Sequence, residues 1–305
     1  MAPRIELLSS PNWNDYELLD SGDGQKLERF GAFTFVRPEV QALWKKKLPA
    51  VRWQEAHAVF QPTGEESGGH WRYKLKVPEK WEMKYALDGG SPEGAEVRFW
   101  AQTTPGRHLG VFPECATHWD WIFQKIKQKA KNAHTPANVL NLFGYTGLAT
   151  LAAAAAGAKV THVDASKKSV TWARENQMLS GLTDRPVRWI VDDALKFVQR
   201  EARRGVRYEG ILLDPPKFGR GPKGEVWEVY RSLPELLQAC DAVLSPEALF
   251  VVLTVYAVKA SAVNIACALE EMVAGRNGGM ECGELVTAEK SGGRLLSNAV
   301  YARWG

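Results

Sequence analysis

The chain has 305 residues, 45% of them hydrophobic and 24% charged, with 39 Lys+Arg against 35 Asp+Glu and a net charge of +4. That length suits about two domains, and the composition excludes a disordered chain, a collagen and a coiled-coil rod. No apolar run approaches the roughly 20 residues that span a bilayer, the opening MAPRIELLSS has no apolar core of a signal peptide, and the charge is too small to name nucleic acid as a partner on its own.

The first third is rich in aromatics and turns. Residues 1–115 carry 15 Lys+Arg and 16 Asp+Glu, and six of the twelve Trp lie between Trp13 and Trp100. Turn signals recur at Ser21–Gly24, Gly64–Gly69 and Asp88–Gly94. Short alternating runs at Gly31–Val36, Trp71–Val77 and Glu96–Trp100 predict antiparallel strands. The four cysteines (Cys115, Cys240, Cys267, Cys282) show no zinc spacing, so no metal site is expected. Reduced thiols in a cytoplasmic protein are the simplest expectation.

From about His118 the rhythm changes, and residues 116–305 carry 24 Lys+Arg against 19 Asp+Glu. Trp119–Ala133 reads as a helix with Trp119, Ile122, Phe123 and Ile126 on one face. Strands at Val139–Phe143, Lys159–Val163, Arg188–Val191, Gly210–Leu213 and Ala248–Val255 then alternate with helices at Leu148–Ala156, Lys167–Ser180, Ala194–Arg203 and Val229–Leu244. Cys240 and Cys267 fall in helices and are expected to be buried small apolar residues. A last strand covers Asn298–Arg303. Such alternation implies βαβ units in a mostly parallel sheet with helices on both faces. Ligands of such sheets lie outside the carboxyl ends of the strands.

Four strand-end loops carry chemistry. In Asn141-Leu-Phe-Gly-Tyr-Thr-Gly147, Gly144 and Gly147 allow close backbone approach, and the following helix N-terminus favours an anionic group. The loop is neither a GxGxxG nor a GKS/T pattern, which argues against a dinucleotide and a triphosphate. Asp164, in Val163-Asp-Ala165-Ser166, is placed to accept from both hydroxyls of a ribose; Asp164 and Ser166 could also cap the next helix. In Asp192-Asp193-Ala194 one acid can accept from the amine of adenine while the other caps a helix; Asp193 is the favoured acceptor. In Asp214-Pro215-Pro216-Lys217-Phe218-Gly219 two prolines stiffen the turn, leaving a carboxylate and carbonyls free to face an acceptor. Lys217, Arg220 and Lys223 share a Gly-rich stretch expected to be a mobile loop, where cations could hold phosphates. Arg294 is a further phosphate candidate.

The run NLFGYTG, VDAS, WARENQ, DDAL and DPPKFG, over roughly residues 100–260, resembles a class I S-adenosylmethionine-dependent methyltransferase. It is most similar to the group containing the bacterial 23S ribosomal RNA large-subunit methyltransferases. Gly106–Glu114 resembles the segment that closes over the cofactor in that group; Gly110 and Phe112 fit its pattern, whereas Cys115 stands where Gln is common. The resemblance implies a Rossmann-like methyltransferase sheet, mostly parallel with an antiparallel C-terminal strand, over residues 106–305. A smaller strand-rich α+β domain, substrate-binding or accessory, would cover residues 1–105. It also implies S-adenosylmethionine as cofactor. The methionine end would lie on Asn141, Phe143, Gly144, Tyr145 and Gly147 under Phe112. Asp164, with Ala165 and Ser166, would take the ribose, and Asp193 and Ala194 beside Asp192 the adenine. Asp214, Pro215 and Pro216 would face the methyl group, and Lys217, Phe218 and Arg220 the substrate.

One branch of that group methylates carbon 5 of cytosine through a cysteine thiolate on the loop after the fourth or fifth strand. Here those loops read DPPKFGRG and Leu253–Ala257 and hold no cysteine. Transfer to a nitrogen, or to an oxygen, rather than to carbon is therefore expected, and a nitrogen of RNA, ribosomal RNA above all, is the leading expectation. Methylation of a protein or small molecule is the alternative. A dinucleotide oxidoreductase and a non-catalytic binding module stand further off.

Overall fold

The computed structural model describes residues 4–10, 13–63, 68–91, 94–132 and 135–305. Ala133 and parts of two expected turns, at 64–67 and 92–93, lie outside the described residues. The first strand, β1 (Ile5–Leu8), stands apart from those that follow. β2 (Tyr16–Gly22), β3 (Gln25–Phe30), β4 (Phe33–Pro38), β5 (Ala58–Pro62) and β6 (Gly69–Tyr73) form a five-stranded sheet in that order, parallel only between β4 and β5. The short helix α1 (Ala50–Gln54) precedes β5. β7 (Trp81–Ala86) and β8 (Glu96–Ala101) make a separate hairpin.

Alternation drives these strands: Trp81, Met83 and Tyr85 are buried while Glu82, Lys84 and Ala86 face water. Two expected strands end elsewhere. Gly31 is a turn residue at φ +60°, so the strand begins at Phe33. β6 stops at Tyr73 because the N–H groups of Lys74 and Leu75 both turn to the His57 carbonyl, at 2.8 and 3.2 Å.

The second half follows the predicted alternation. α2 (Ala116–Asn132) leads to β9 (Asn138–Leu142), α3 (Leu148–Ala155), β10 (Lys159–Asp164), α4 (Lys167–Leu179), β11 (Val187–Val191), α5 (Ala194–Arg203) and β12 (Gly210–Leu213). A hairpin of β13 (Phe218–Arg220) and β14 (Val226–Glu228) comes next. α6 (Val229–Val243), β15 (Phe250–Val255), α7 (Ala262–Met272), β16 (Met280–Ala288) and β17 (Leu295–Trp304) complete the chain. The eight-stranded sheet has the order β1-β16-β17-β15-β12-β9-β10-β11. Strands β9 to β12 and β15 run parallel, and β17 runs antiparallel to both β15 and β16.

Four features add to or depart from the expectations. β1 crosses to the far sheet and pairs with β16, where Gly283 has no side chain to block Glu6. The segment after Pro216 is an ordered hairpin rather than a mobile loop: buried Trp227 donates its indole N–H to the Pro216 carbonyl at 2.6 Å and packs on Phe143. Cys240 is buried, but Cys267 is exposed, because α7 buries Ala262, Ile265, Ala266, Leu269 and Met272 on its other face. Arg294 is also no free cation: it holds Glu289, the Lys45 carbonyl and the Ser21 carbonyl.

The core is continuous across both sheets. Trp13, Phe30, Phe35, Met83 and Phe99 share one apolar cluster with Trp119, Ile122, Leu151 and Tyr301. The carboxyl ends of β9, β12 and β15 are thereby held against the segment that enters α2.

Candidate active site

A pocket opens at those carboxyl ends. Its walls are Val111, Phe112 and Cys115, the run from Phe143 to Thr146, Leu148, Ala149, Asn141, Asp214 and Thr254, with His118 and Trp119 at its inner side. The β9–α3 loop shapes it by backbone conformation. Phe143 and Tyr145 both lie in the left-handed region, at φ +57° and +48°, which costs non-glycine residues energy and clusters at functional sites. Gly147 follows at φ +84°. A Cβ on Gly144 would collide with the His162 imidazole, and one on Gly147 would lie 2.8 Å from the Ala173 methyl. These glycines therefore let the loop pack down on its own neighbours. His162 in turn meets Thr150 Oγ1 at 2.9 Å, and Thr150 receives the Asn141 amide at 2.9 Å.

The segment before α2 forms the pocket's cover. Thr146 Oγ1 donates to the Gly110 carbonyl at 2.7 Å, and the Trp172 ring fills the space where a Gly110 side chain would be. Phe112 lies among three rings: His108 at 4.9 Å, Tyr256 at 5.1 Å and Tyr145 at 5.7 Å between centroids. Cys115 Sγ meets the Tyr256 hydroxyl at 3.1 Å. Burial, Asp214 and Glu114 together push the Cys115 thiol up.

The acids after the strands have different surroundings. Asp164 Oδ2 accepts from the Tyr145 N–H at 2.9 Å and Oδ1 from the Ser166 N–H at 2.8 Å. Burial raises its carboxyl, with those two N–H groups opposing. Ser166 caps α4 through the Ser169 N–H, and Ala165 lies half-buried between the two. Asp193 caps α5, its Oδ1 accepting from the Lys196 N–H at 2.9 Å, with Ala194 buried just inside. Asp192 is ion-paired with Arg200 and accepts the Asp193 N–H. Asp214, at the end of β12, lines the pocket directly; burial, with the Glu114 charge adding, pushes it up to about 8. Pro215 is buried and Pro216 exposed; the Pro216 carbonyl, expected to be free, is held by Trp227. Phe218, Lys217 and Arg220 are exposed on or beside the outer face of the hairpin.

Comparison with known proteins reaches the same edge of the sheet. A family profile described as "Conserved hypothetical protein 95" matches residues 113–255. A SAM-dependent methyltransferase crystal structure from Agrobacterium tumefaciens is 47% identical, with a TM-score of 0.89 over 98% of this chain and 93% of the other. The chain belongs to the S-adenosylmethionine-dependent methyltransferases. The cofactor of this methyltransferase is accordingly S-adenosylmethionine. SMU.776, a methyltransferase complexed with SAH, matches at 18% identity and a TM-score of 0.69 over 97% of this chain and 76% of the other, which shows the fold alone. "Ribosomal RNA large subunit methyltransferase K/L" of Shewanella sp. (strain ANA-3) is 36% identical over 202 residues, 65% of this chain and 26% of that protein. The same-named protein of Pseudoalteromonas atlantica is 28% identical over 78% of this chain and 34% of its own length. The methyltransferase therefore spans between 15% and 34% of the length of such curated relatives.

The pocket's chemistry fits the cofactor. α3 is the helix whose first turn, Leu148 and Ala149, lines the pocket, and no side chain caps it. Its first N–H groups are thus left for an anionic group such as a carboxylate. Asp164 has lone pairs beyond its two backbone bonds. Sequence reasoning missed several lining residues. Thr254 lies near the end of β15, a strand whose end carries no recognisable motif, and Tyr256 just after it packs on Phe112. His118 was hidden on an amphipathic helix. Among the described residues neither of its ring nitrogens has a hydrogen-bond partner, and burial pushes it down to about 3. Among the described residues no cluster of three or more His, Cys, Asp or Glu could hold a metal, and no helix is long and apolar enough to cross a membrane.

Proposed function

We propose that this methyltransferase acts on RNA, ribosomal RNA in particular, at a nitrogen atom and in the cytoplasm, without a covalent cysteine adduct. The observation that carries the chemistry is Cys115. It is the cysteine that lines the pocket, and its thiol is pushed up by burial and two nearby carboxyls. A cysteine nucleophile needs the opposite, a lowered pKa and a positive environment. The names of the curated relatives support RNA as the substrate class.

S-adenosylmethionine, when bound, supplies a methyl group activated on a sulfonium. Asp164, beside Ala165 and Ser166, would accept from the ribose hydroxyls. Asp193 and Ala194, beside Asp192, would meet the adenine. Asn141, Phe143, Gly144, Tyr145 and Gly147 would hold the methionine end, with the free N–H groups of α3 at its carboxylate. Phe112 and Tyr256 would exclude water above them. Asp214 with the Pro215 carbonyl would accept from the N–H of the acceptor and aim its lone pair, while Pro216, its carbonyl held by Trp227, stiffens the turn; this is orientation rather than base catalysis. Phe218, 56% exposed, is available to stack on a base, because Trp227 is the residue that packs the hairpin down. Lys217 and Arg220 would meet phosphates. Residues 1–105 would present the substrate and residues 106–305 carry the transfer.

Mass spectrometry of ribosomal RNA nucleosides from cells with and without the gene tests this reading. One N-methylated nucleoside is expected to vanish with the gene. An unchanged modification pattern, or loss of a C-methylated nucleoside, would overturn it.

A further inference from the structure

Three buried polar side chains form a chain that leads into the wall of the active-site pocket. Asn141 lines the pocket from β9. His162 is its register partner on β10, the next strand. Thr150, in the first turn of α3, joins the two: its Oγ1 accepts from Asn141 Nδ2 at 2.9 Å and meets His162 Nδ1 at 2.9 Å. All three are buried, and of the three only Asn141 belongs to the pocket's lining.

Each member of the chain limits the next. Burial pushes His162 down to about 3, so its ring is neutral near pH 7. With the ring proton on Nε2, Nδ1 accepts the proton of the Thr150 hydroxyl. Nε2 has no hydrogen-bond partner among the described residues, and the Trp189 ring lies 4.7 Å from the imidazole between centroids. A hydroxyl whose proton is engaged has only lone pairs left. Asn141 then meets it with N–H and not with its carbonyl. One of the two flips of the amide is thereby excluded, and Oδ1 is the arm left for the pocket.

The methionine end of the cofactor carries a carboxylate, which only accepts, and an ammonium, which only donates. The uncapped N–H groups of α3 suit the carboxylate. The ammonium needs an acceptor, which Asn141 Oδ1 supplies and a flipped amide would not. We propose that Thr150 and His162 are positioning residues that hold the Asn141 amide with its carbonyl oxygen toward the pocket, where it accepts from the ammonium of S-adenosylmethionine. This rests on the assignment of Asn141 to the methionine end. Thr150 and His162 act through Asn141. His162 also fills the space beside Gly144, so orientation has to be separated from packing.

Two ligands make that separation when their binding to the full chain is measured by calorimetry: S-adenosylhomocysteine, and its analogue with hydrogen in place of the amino group. A lost orientation weakens only the ligand with the amine, whereas a packing defect weakens both alike. The wild-type enzyme is expected to prefer the amine about tenfold or more, as hydrogen bonds to a charged group imply. Asn141→Ala is expected to erase that preference. Thr150→Val, the same shape without the hydroxyl, is expected to shrink it to about twofold, and Thr150→Ser to retain most of it. His162→Leu, which cannot take the hydroxyl proton, is expected to fall between them. Should Thr150→Val fail to fold, Thr150→Cys, a weak acceptor of similar size, takes its place. A Val or Cys variant with the wild-type preference overturns the proposal. So does a Ser variant no better than the Val or Cys variant, or a His162→Leu enzyme with the full preference. A wild-type enzyme without the preference, or an Asn141→Ala enzyme that keeps it, instead overturns the placement of the methionine end at Asn141.

Discussion

The β9–α3 and β11–α5 junctions lie two strands apart on one edge of the sheet, and they treat their helix ends in opposite ways. At β11–α5 the chain satisfies itself: Asp193 caps α5 and Asp192 pairs with Arg200. At β9–α3 no side chain caps the helix, and Phe143 and Tyr145 hold strained left-handed conformations. The closed junction contributes stability, whereas the open one keeps N–H groups for a ligand at some cost in stability. An acid after a strand therefore does not reveal its task; its partners do.

The largest effect is expected on the open side. Asp164→Ala removes the acceptor whose bonds, being charge-assisted, are worth roughly 1.5–3 kcal/mol each. S-adenosylhomocysteine affinity should fall about a hundredfold or more on these grounds, read by calorimetry; equal affinity would show that Asp164, which steadies the open junction through the Tyr145 N–H, does not hold the ribose.

Asp214→Asn should come next, lowering methyl transfer about a hundredfold, as expected for losing one preorganised group. It should also change the pH dependence of stability. In the fold Asp214 keeps its proton up to about 8, whereas an unfolded Asp releases it near about 4. Between those values the folded state binds the extra proton, so this group makes stability fall as pH rises across that window. Chemical denaturation at several pH values should show a shallower fall for the Asn variant. An identical slope would remove the buried-acid account.

Gly144→Ala should destabilise by about 1–3 kcal/mol, because its methyl group would overpack against His162. Adding His162→Ala should recover part of that in a double-mutant cycle. Strict additivity would mean that the glycine serves something other than this packing.

The smallest effects sharpen the comparison from the closed side. Asp193→Ala should cost about 1 kcal/mol of stability through the lost cap, while Asn, an equally good cap, should not. Both should weaken S-adenosylhomocysteine several-fold if the same carboxylate also meets adenine. An Asn variant with full affinity leaves Asp193 as a cap alone.

Much of the fold was legible because the sheet is built from local signals. β9, β12 and β15 are short apolar runs and α2, α5 and α6 are amphipathic, so the predicted bounds of α5 and β12 match the structure. The candidate site was legible where a motif ends a strand: Asn141, Phe143, Gly144, Tyr145 and Asp214 do line one pocket. It was not legible at His118 and Thr254, where nothing in the local pattern separates a lining residue from a core one. Gly144 was read as room for a ligand, yet its missing side chain is room for His162. That difference depends on a residue 18 positions away and on the pairing of β9 with β10.

Residues alone were enough for the alternating strand and helix order, the strand-end acids and the absence of a cysteine from the loops after β12 and β15. These follow from periodicity and residue type, which act over a few positions. Long-range packing decided the rest. It sent β1 to the far sheet, made the stretch after Pro216 a hairpin through Trp227, and packed the Phe112–Cys115 segment over the active-site pocket. Such outcomes depend on which surfaces meet once the apolar clusters close, and no local pattern records that meeting.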